Sequence, residues 1–243
     1  MPVCVINQPA GLGDILWIQP IVDHMIGLGY EVVYPVNDLY YEMISRSIRK
    51  DGLRWVPETG EYPMKECFSS IDPIKLGEDL YLPIQYSDRH LPSYPVMACK
   101  YFLLDIPVTN WHTHINFERD KGREDRVFEV YGIDRNVDYT LTNITYGTPP
   151  NHITRDISTH TNQTKHPVVE MSYEKDLENG ICLFDWIGVV EKAKEIHTIE
   201  TSLCFLVDIF AQTPYIFMYG RLHEPPGRLT SLVYRNSNWT YFK

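Results

Sequence analysis

The opening of the chain constrains its fold more than any other stretch. Val3–Asn7 is a short apolar run, and glycines at 11 and 13 follow it. Residues 15–28 then place apolar side chains at 15, 16, 18, 21, 22, 25, 26 and 28, the spacing of one helix face. Gly27 and Gly29 close that helix, and Glu31–Val36 reads as a buried strand. Strand, glycine turn, helix and strand in succession make a βαβ unit. Parallel strands need a crossover connection, and the crossover helix covers one face of the sheet. The fold class is therefore α/β.

The same alternation continues. A helix is expected over 39–48, strands over 53–57 and 79–85, then a proline-punctuated stretch leading into 96–104. Residues 112–126 are polar and charged, and the hinge between two halves is placed there, giving domains 1–118 and 119–243. The second half opens at 127–131, with strands expected near 139–145 and over 168–171, 195–199 and 215–219. Helices are expected over 185–193 and 201–211, the latter capped by Thr201 or Ser202. Residues 147–167 are rich in Thr, Asn, His and Pro without an apolar period and read as a loop or extended insertion. The polar, aromatic residues after 220 read as a strand or a segment packing back across the hinge.

Charge and cysteine usage exclude several classes. A formal net charge of −10 gives little attraction for polyanions, so broad nucleic-acid binding is disfavoured, although a local basic patch stays open. The five cysteines are scattered with no C-x-x-C pair, which reads as reduced, mostly buried thiols. The first residues lack a basic segment followed by a long apolar one, and no apolar run approaches the ~18 residues of a membrane span. A soluble, cytoplasmic chain is expected, with the N-x-T sequons at Asn143, Asn162 and Asn238 as chance matches.

Three groups of residues are candidates for chemistry. Gly11 and Gly13 allow close backbone approach to a ligand at a helix start, and Asp14 beside them is a helix cap or a general base. The dinucleotide fingerprint G-x-G-x-x-G is broken by Leu16. Glu200, Thr201 and Ser202 end a strand and open an apolar helix, where hydroxyls and unpaired N–H groups suit a phosphate; the bland alternative is a simple N-cap. Arg221, just past a strand, lies where ligands bind in open α/β sheets and suits a diphosphate; a surface arginine is the alternative. The His112-x-His114 pair lacks further ligands at sensible spacing, so no metal is expected. Arg46, Arg49 and Lys50 read as a solvated helix face, and Trp111 and Trp239 as packing residues rather than base-stacking ones.

Gly11-Leu12-Gly13-Asp14-Ile15-Leu16-Trp17-Ile18-Gln19-Pro20 resembles the opening of the lipopolysaccharide heptosyltransferases that use ADP-heptose, and residues 186–220 resemble their C-terminal half. Glu200 stands where that family has Asp, and Ser202 where it has Gly. The resemblance implies a small glycosyltransferase-B-like fold, two Rossmann-like domains facing across a cleft. Residues 1–118 would form the acceptor side and 119–243 the nucleotide-sugar-binding side. It further implies inverting transfer from a nucleotide-diphosphate sugar to an acceptor hydroxyl, without cofactor or metal. Asp14 would be the base, and Gly11, Gly13, Glu200, Thr201, Ser202 and Arg221 would serve the donor. The acceptor is a saccharide or another hydroxyl compound; DNA carrying a hydroxylated base is disfavoured by the charge. The competing readings are a non-catalytic nucleotide-sugar-binding module and, weakened by the broken glycine fingerprint, a nicotinamide-dependent oxidoreductase.

Overall fold

A computed structural model describes residues 1–8, 11–84, 96–102, 104–107, 110–147, 151–221 and 233–242. Pro9, Ala10, the proline-punctuated stretch before Val96, and residues 224–226 lie outside the described residues. The chain divides into two compact units, Met1–Glu118 and Arg119–Lys243.

The first unit contains β1 (Val3–Asn7), α1 (Leu12–Trp17), α2 (Gln19–Gly27), β2 (Glu31–Val36), α3 (Asp38–Ser47) and β3 (Leu53–Pro57). It continues with β4 (Ile74–Leu76), β5 (Asp79–Pro83) and α4 (Val96–Phe102). Its sheet has the order β3-β2-β1-β5-β4, parallel except for the antiparallel edge strand β4. The chain moves outward from β1 through β2 to β3, then returns to the other side of β1. The strand order thus reverses between β1 and β5, and the carboxyl ends of those two strands flank the crevice where such sheets bind ligands.

The single helix expected over 15–28 is in fact two. Pro20 has no N–H for the carbonyl four residues back, and its ring crowds that carbonyl, so α1 and α2 break at Ile18. The Gln19 side chain donates to the Ile15 carbonyl at 2.9 Å across the break. Ile15, Leu16 and Trp17 are fully buried. Trp17 also fixes α4: its Nε1 donates to the Met97 carbonyl at 2.7 Å, and its own carbonyl accepts from the Tyr101 hydroxyl at 2.5 Å. The solvated face expected at residues 46–50 is only half right, because Lys50 is largely buried on Asp23 at 2.6 Å, while Arg49 is exposed.

The second unit contains α5 (Lys121–Tyr131), β6 (Thr140–Asn143), β7 (Thr145–Tyr146), β8 (Ile153–Thr154), α6 (Ser158–Thr161), β9 (Val168–Glu170) and α7 (Tyr173–Glu178). Then follow α8 (Ile187–Lys192), β10 (Glu195–Ile199), α9 (Leu203–Phe210), β11 (Ile216–Tyr219) and β12 (Trp239–Phe242). The main sheet has the order β12-β11-β10-β6-β9 and is parallel throughout. Here the order reverses between β6 and β10. The aromatic segment near 240 is thus a fifth parallel strand, with Trp239 buried and its Nε1 on Asp208 at 2.7 Å.

Other expectations shift locally. The polar stretch 112–126 includes the start of α5, whose N-cap Asp120 accepts from the Arg123 amide at 3.1 Å. Its charges are spent on ion pairs: Arg119 with Glu124 and Glu191, Arg123 with Asp185. The insertion 147–167 holds β8, antiparallel to β7, and the one-turn α6. Helix α7 was not expected; it has few apolar side chains and is started by Ser172, whose Oγ accepts from the Lys175 amide at 3.3 Å. Among the described residues no helix is long and apolar enough to cross a membrane.

Candidate functional site

In the first unit the candidate residues gather at the carboxyl end of β1. Gly11 caps α1 at a φ of +82°, a left-handed value that disfavours any residue with a Cβ. A Cβ there would also stand 2.2 Å from Asp14 Oδ2, so the carboxylate folds back over the glycine. Gly13 is the second residue of the helix and Asp14 the third.

Asp14 has a partner that the sequence did not announce. Lys100 on α4 is only 2% exposed, and its Nζ lies 2.6 Å from Asp14 Oδ1, whose side chain is 16% exposed. The same ammonium donates to Gln8 Oε1 at 2.7 Å. Burial lowers the Lys100 pKa, and the charge of Asp14 opposes that shift. On β2, the Tyr34 hydroxyl is buried with no hydrogen-bond partner among the described residues. Burial pushes its pKa far up, and the charge of Asp14 adds to the effect. The one sequence signal for Lys100 was a lysine inside an otherwise apolar and aromatic helix, VMACKYF.

In the second unit the candidates gather at the carboxyl ends of β6 and β10. Asn143, at the end of β6, spans the crevice: its Nδ2 lies 3.3 Å from Thr198 Oγ1 and 3.2 Å from Thr201 Oγ1. Thr201 Oγ1 in turn accepts from the Leu203 amide at 3.3 Å, so Thr201 supplies the hydroxyl cap at the start of α9. Of the two residues expected to cap, Thr201 is the one that does so; Ser202 occupies the N-cap position with helical torsions and makes no side-chain cap bond. Its own φ of −61° and ψ of −23° turn the backbone too early for the extended capping geometry. The helix therefore begins at Leu203 rather than 201. Asn143 itself was a sequon match only; its amide is buried and committed.

Glu200 and Arg221 join this turn through the backbone. The Glu200 amide donates to the Tyr219 carbonyl at 3.0 Å, and the Glu200 carbonyl accepts from Arg221 Nε at 2.9 Å. The guanidinium lies 6.0 Å from the centre of the Tyr146 ring. Glu200, Thr201, Ser202 and Arg221 are thus brought together, with Asn143 as a member that spacing alone could not find. Beneath them Cys204 is buried, its thiol pushed up to about 12 by desolvation.

Elsewhere, His114 Nδ1 lies 2.7 Å from Asp23, and His112 packs on Trp111. Trp111 is fully buried. Among the described residues no three or more His, Cys, Asp or Glu side chains are grouped to hold a metal.

No family model matches the sequence, and no curated protein does. Among solved structures the chain is similar to a glycosyl transferase family 9 structure from Veillonella parvula, with a TM-score of 0.53, 11% identity, and coverage of 98% of this chain and 86% of that one. It is also similar to the E. coli heptosyltransferase WaaC with ADP, with a TM-score of 0.50, 11% identity, and coverage of 98% of this chain and 92% of that one. At such identity the likeness is one of fold. The α/β, Rossmann-like architecture and the resemblance carried by the two sequence motifs agree with it.

Proposed function

We propose that the chain is a nucleotide-sugar glycosyltransferase that moves a sugar with inversion to an acceptor hydroxyl. The observation that carries this reading is the Asp14–Lys100 pair at the reversal point of the first sheet. A general base has to be held in one orientation, and the Lys100 amine bonded to Oδ1 fixes the other carboxylate oxygen over Gly11. Asp14 takes the proton of the acceptor hydroxyl as its oxygen bonds to the anomeric carbon. The bond from that carbon to the donor's phosphate oxygen breaks, and the nucleoside diphosphate leaves with the electron pair.

The second unit supplies the donor side. Charge builds on the leaving diphosphate, and the N-terminus of α9, the Thr201 and Ser202 hydroxyls and the Arg221 guanidinium offer donors for it. This reading needs no metal, because the helix end and Arg221 take the role of a divalent cation. Gly11 and Gly13 shape the α1 turn that carries Asp14, whose carboxylate occupies the space over Gly11. Two structures of like fold are named for glycosyl transfer, and one was solved with ADP.

The test begins with a thermal-shift screen of UDP-, GDP-, ADP- and TDP-sugars, because a ligand of the native state raises its apparent stability. The donor so found is assayed for transfer in excess EDTA, with wild type and Asp14→Asn. Wild type turns over, and Asp14→Asn loses at least ~100-fold while still binding donor. Wild-type turnover by Asp14→Asn removes the aspartate from the chemistry, and loss in EDTA reversed by Mg²⁺ overturns the metal-free mechanism.

A further inference from the structure

A cavity of about 880 Å³ lies in the second unit, lined by residues 135–139, 163–166, 191–195 and 212–215. Each of these segments leads into a strand of the parallel sheet: β6, β9, β10 and β11 respectively. The cavity is therefore at the amino-terminal end of the sheet, whereas the Thr201 turn is at the carboxyl end. Its volume is within the ~300–1,000 Å³ of small-molecule pockets.

The charge accounting at this cavity has a sign. Of its carboxylates, Glu191 Oε2 pairs with Arg119 at 2.7 Å, whereas Glu195 accepts from Thr164 at 2.9 Å and lies 2.6 Å from His197, a ring that burial pushes toward its neutral form. Asp138 faces Lys194 at 3.7 Å, a loose and exposed pairing. Lys165 forms no ion pair among the described residues; Lys192 lies near enough to Glu191 for its charge to lower that carboxyl's pKa, and its ammonium is 5.8 Å from the centre of the Phe128 ring. The lining carries four cationic side chains, Arg135, Lys165, Lys192 and Lys194, against the carboxylates of Asp138, Glu191 and Glu195, a formal excess of one positive charge in a chain of net charge −10. The rest of the lining mixes amide and hydroxyl side chains with apolar ones and two tyrosines, Tyr139 buried and Tyr215 61% exposed at the rim. Ammonium groups select an anion, and amides beside an open aromatic face suit a hydroxyl-rich ring.

We propose that this cavity binds a sugar carrying a phosphate or a carboxylate, at a site separate from the donor turn. Glucose 6-phosphate, glucuronate and glucose are titrated calorimetrically into the full chain as wild type, as Lys165→Glu/Lys192→Glu, and as Thr201→Ala/Ser202→Ala. At least one anionic sugar binds tenfold or more tightly than glucose, and the preference for glucose 6-phosphate or glucuronate tells phosphate from carboxylate. The charge reversal weakens that binding more than tenfold and leaves the affinity for a nucleoside diphosphate unchanged. The Thr201/Ser202 variant leaves anionic-sugar binding intact. Both lysines are exposed, so the fold is expected to survive; the milder Lys165→Gln/Lys192→Gln pair gives the same order of effect if the reversal does not fold. Equal affinity for glucose and both anions, no binding by either anion, or anion binding that survives loss of both lysine charges overturns the assignment.

Discussion

The two reversal points solve the same problem with different chemistry. In the first unit the end of β1 is organised by full charges, with a carboxylate and an ammonium 2.6 Å apart and the ammonium almost wholly buried. In the second unit the ends of β6 and β10 are joined by an amide spanning two threonine hydroxyls, with Glu200 and Arg221 beside them. A buried ion pair is expensive to desolvate and is weak evidence of a purely stabilising role. Neutral donors around a helix start leave positive potential unspent, which suits an anionic ligand. One region holds a full charge pair, the other a neutral hydrogen-bond bridge with charged neighbours.

The largest effect expected from this difference is at Lys100. Replacing it by Met strands Asp14 beside apolar packing and should destabilise the protein by about 3–5 kcal/mol in urea denaturation. Adding Asp14→Asn should return a large share of that loss, because no charge is then left uncompensated. Additive losses in the double variant would mean that the pair is not coupled.

A carboxylate held by neutral donors sharpens the contrast. Asp176 accepts from Tyr131 Oη at 2.8 Å and Trp186 Nε1 at 3.0 Å, and burial raises its pKa to about 6 from 3.8. The folded state thus holds this proton more tightly than the unfolded state. Its contribution is fully present below pH ~4 and is lost as pH rises to ~6, a change of about 2–3 kcal/mol. Stability curves of wild type and Asp176→Asn should diverge across that window; parallel curves would show that Asp176 does not titrate there.

The smallest effects separate two adjacent hydroxyls. Thr201→Ala loses the cap of α9 and the Asn143 bond and should lower stability by about 1–2 kcal/mol. Ser202→Ala should lower it by about 0.5 kcal/mol or less, because the serine side chain makes no cap bond. Donor affinity is expected to fall in both. Equal stability losses would show that Ser202 caps in solution.

Local pattern made most of the parallel strands and the glycine turn readable in the sequence, because each is decided within a few residues, but not the edge strand β4 or the short β8. The break at Ile18 was readable too, since Pro20 stood inside the expected helix, but apolar spacing continues through it and masked the interruption. Lys100 was not readable as a partner of Asp14. The two are 86 residues apart, and their meeting depends on Trp17 and Tyr101 docking α4 against α1. Asn143 was hidden for the same reason, because it reaches Thr201 only once β6 and β10 pair. The stability of α7 rests on its Ser172 cap and on Asp176 contacts with residues of α5 and residue 186, none of which an apolar period records.

Gly11 carries a consequence for how this sequence tolerates change. Two demands meet at that position, the left-handed torsion and the Asp14 oxygen lying where a Cβ would stand. A shorter residue at 14 would vacate the space but leave the torsion in place, so an alanine at 11 would still be strained. Drift at the two positions is therefore one-directional. A variant can discard the carboxylate and keep the glycine, but one that discards the glycine while keeping the carboxylate meets both penalties together. Among descendants of such a chain, the glycine should outlive the aspartate as a fossil of the turn.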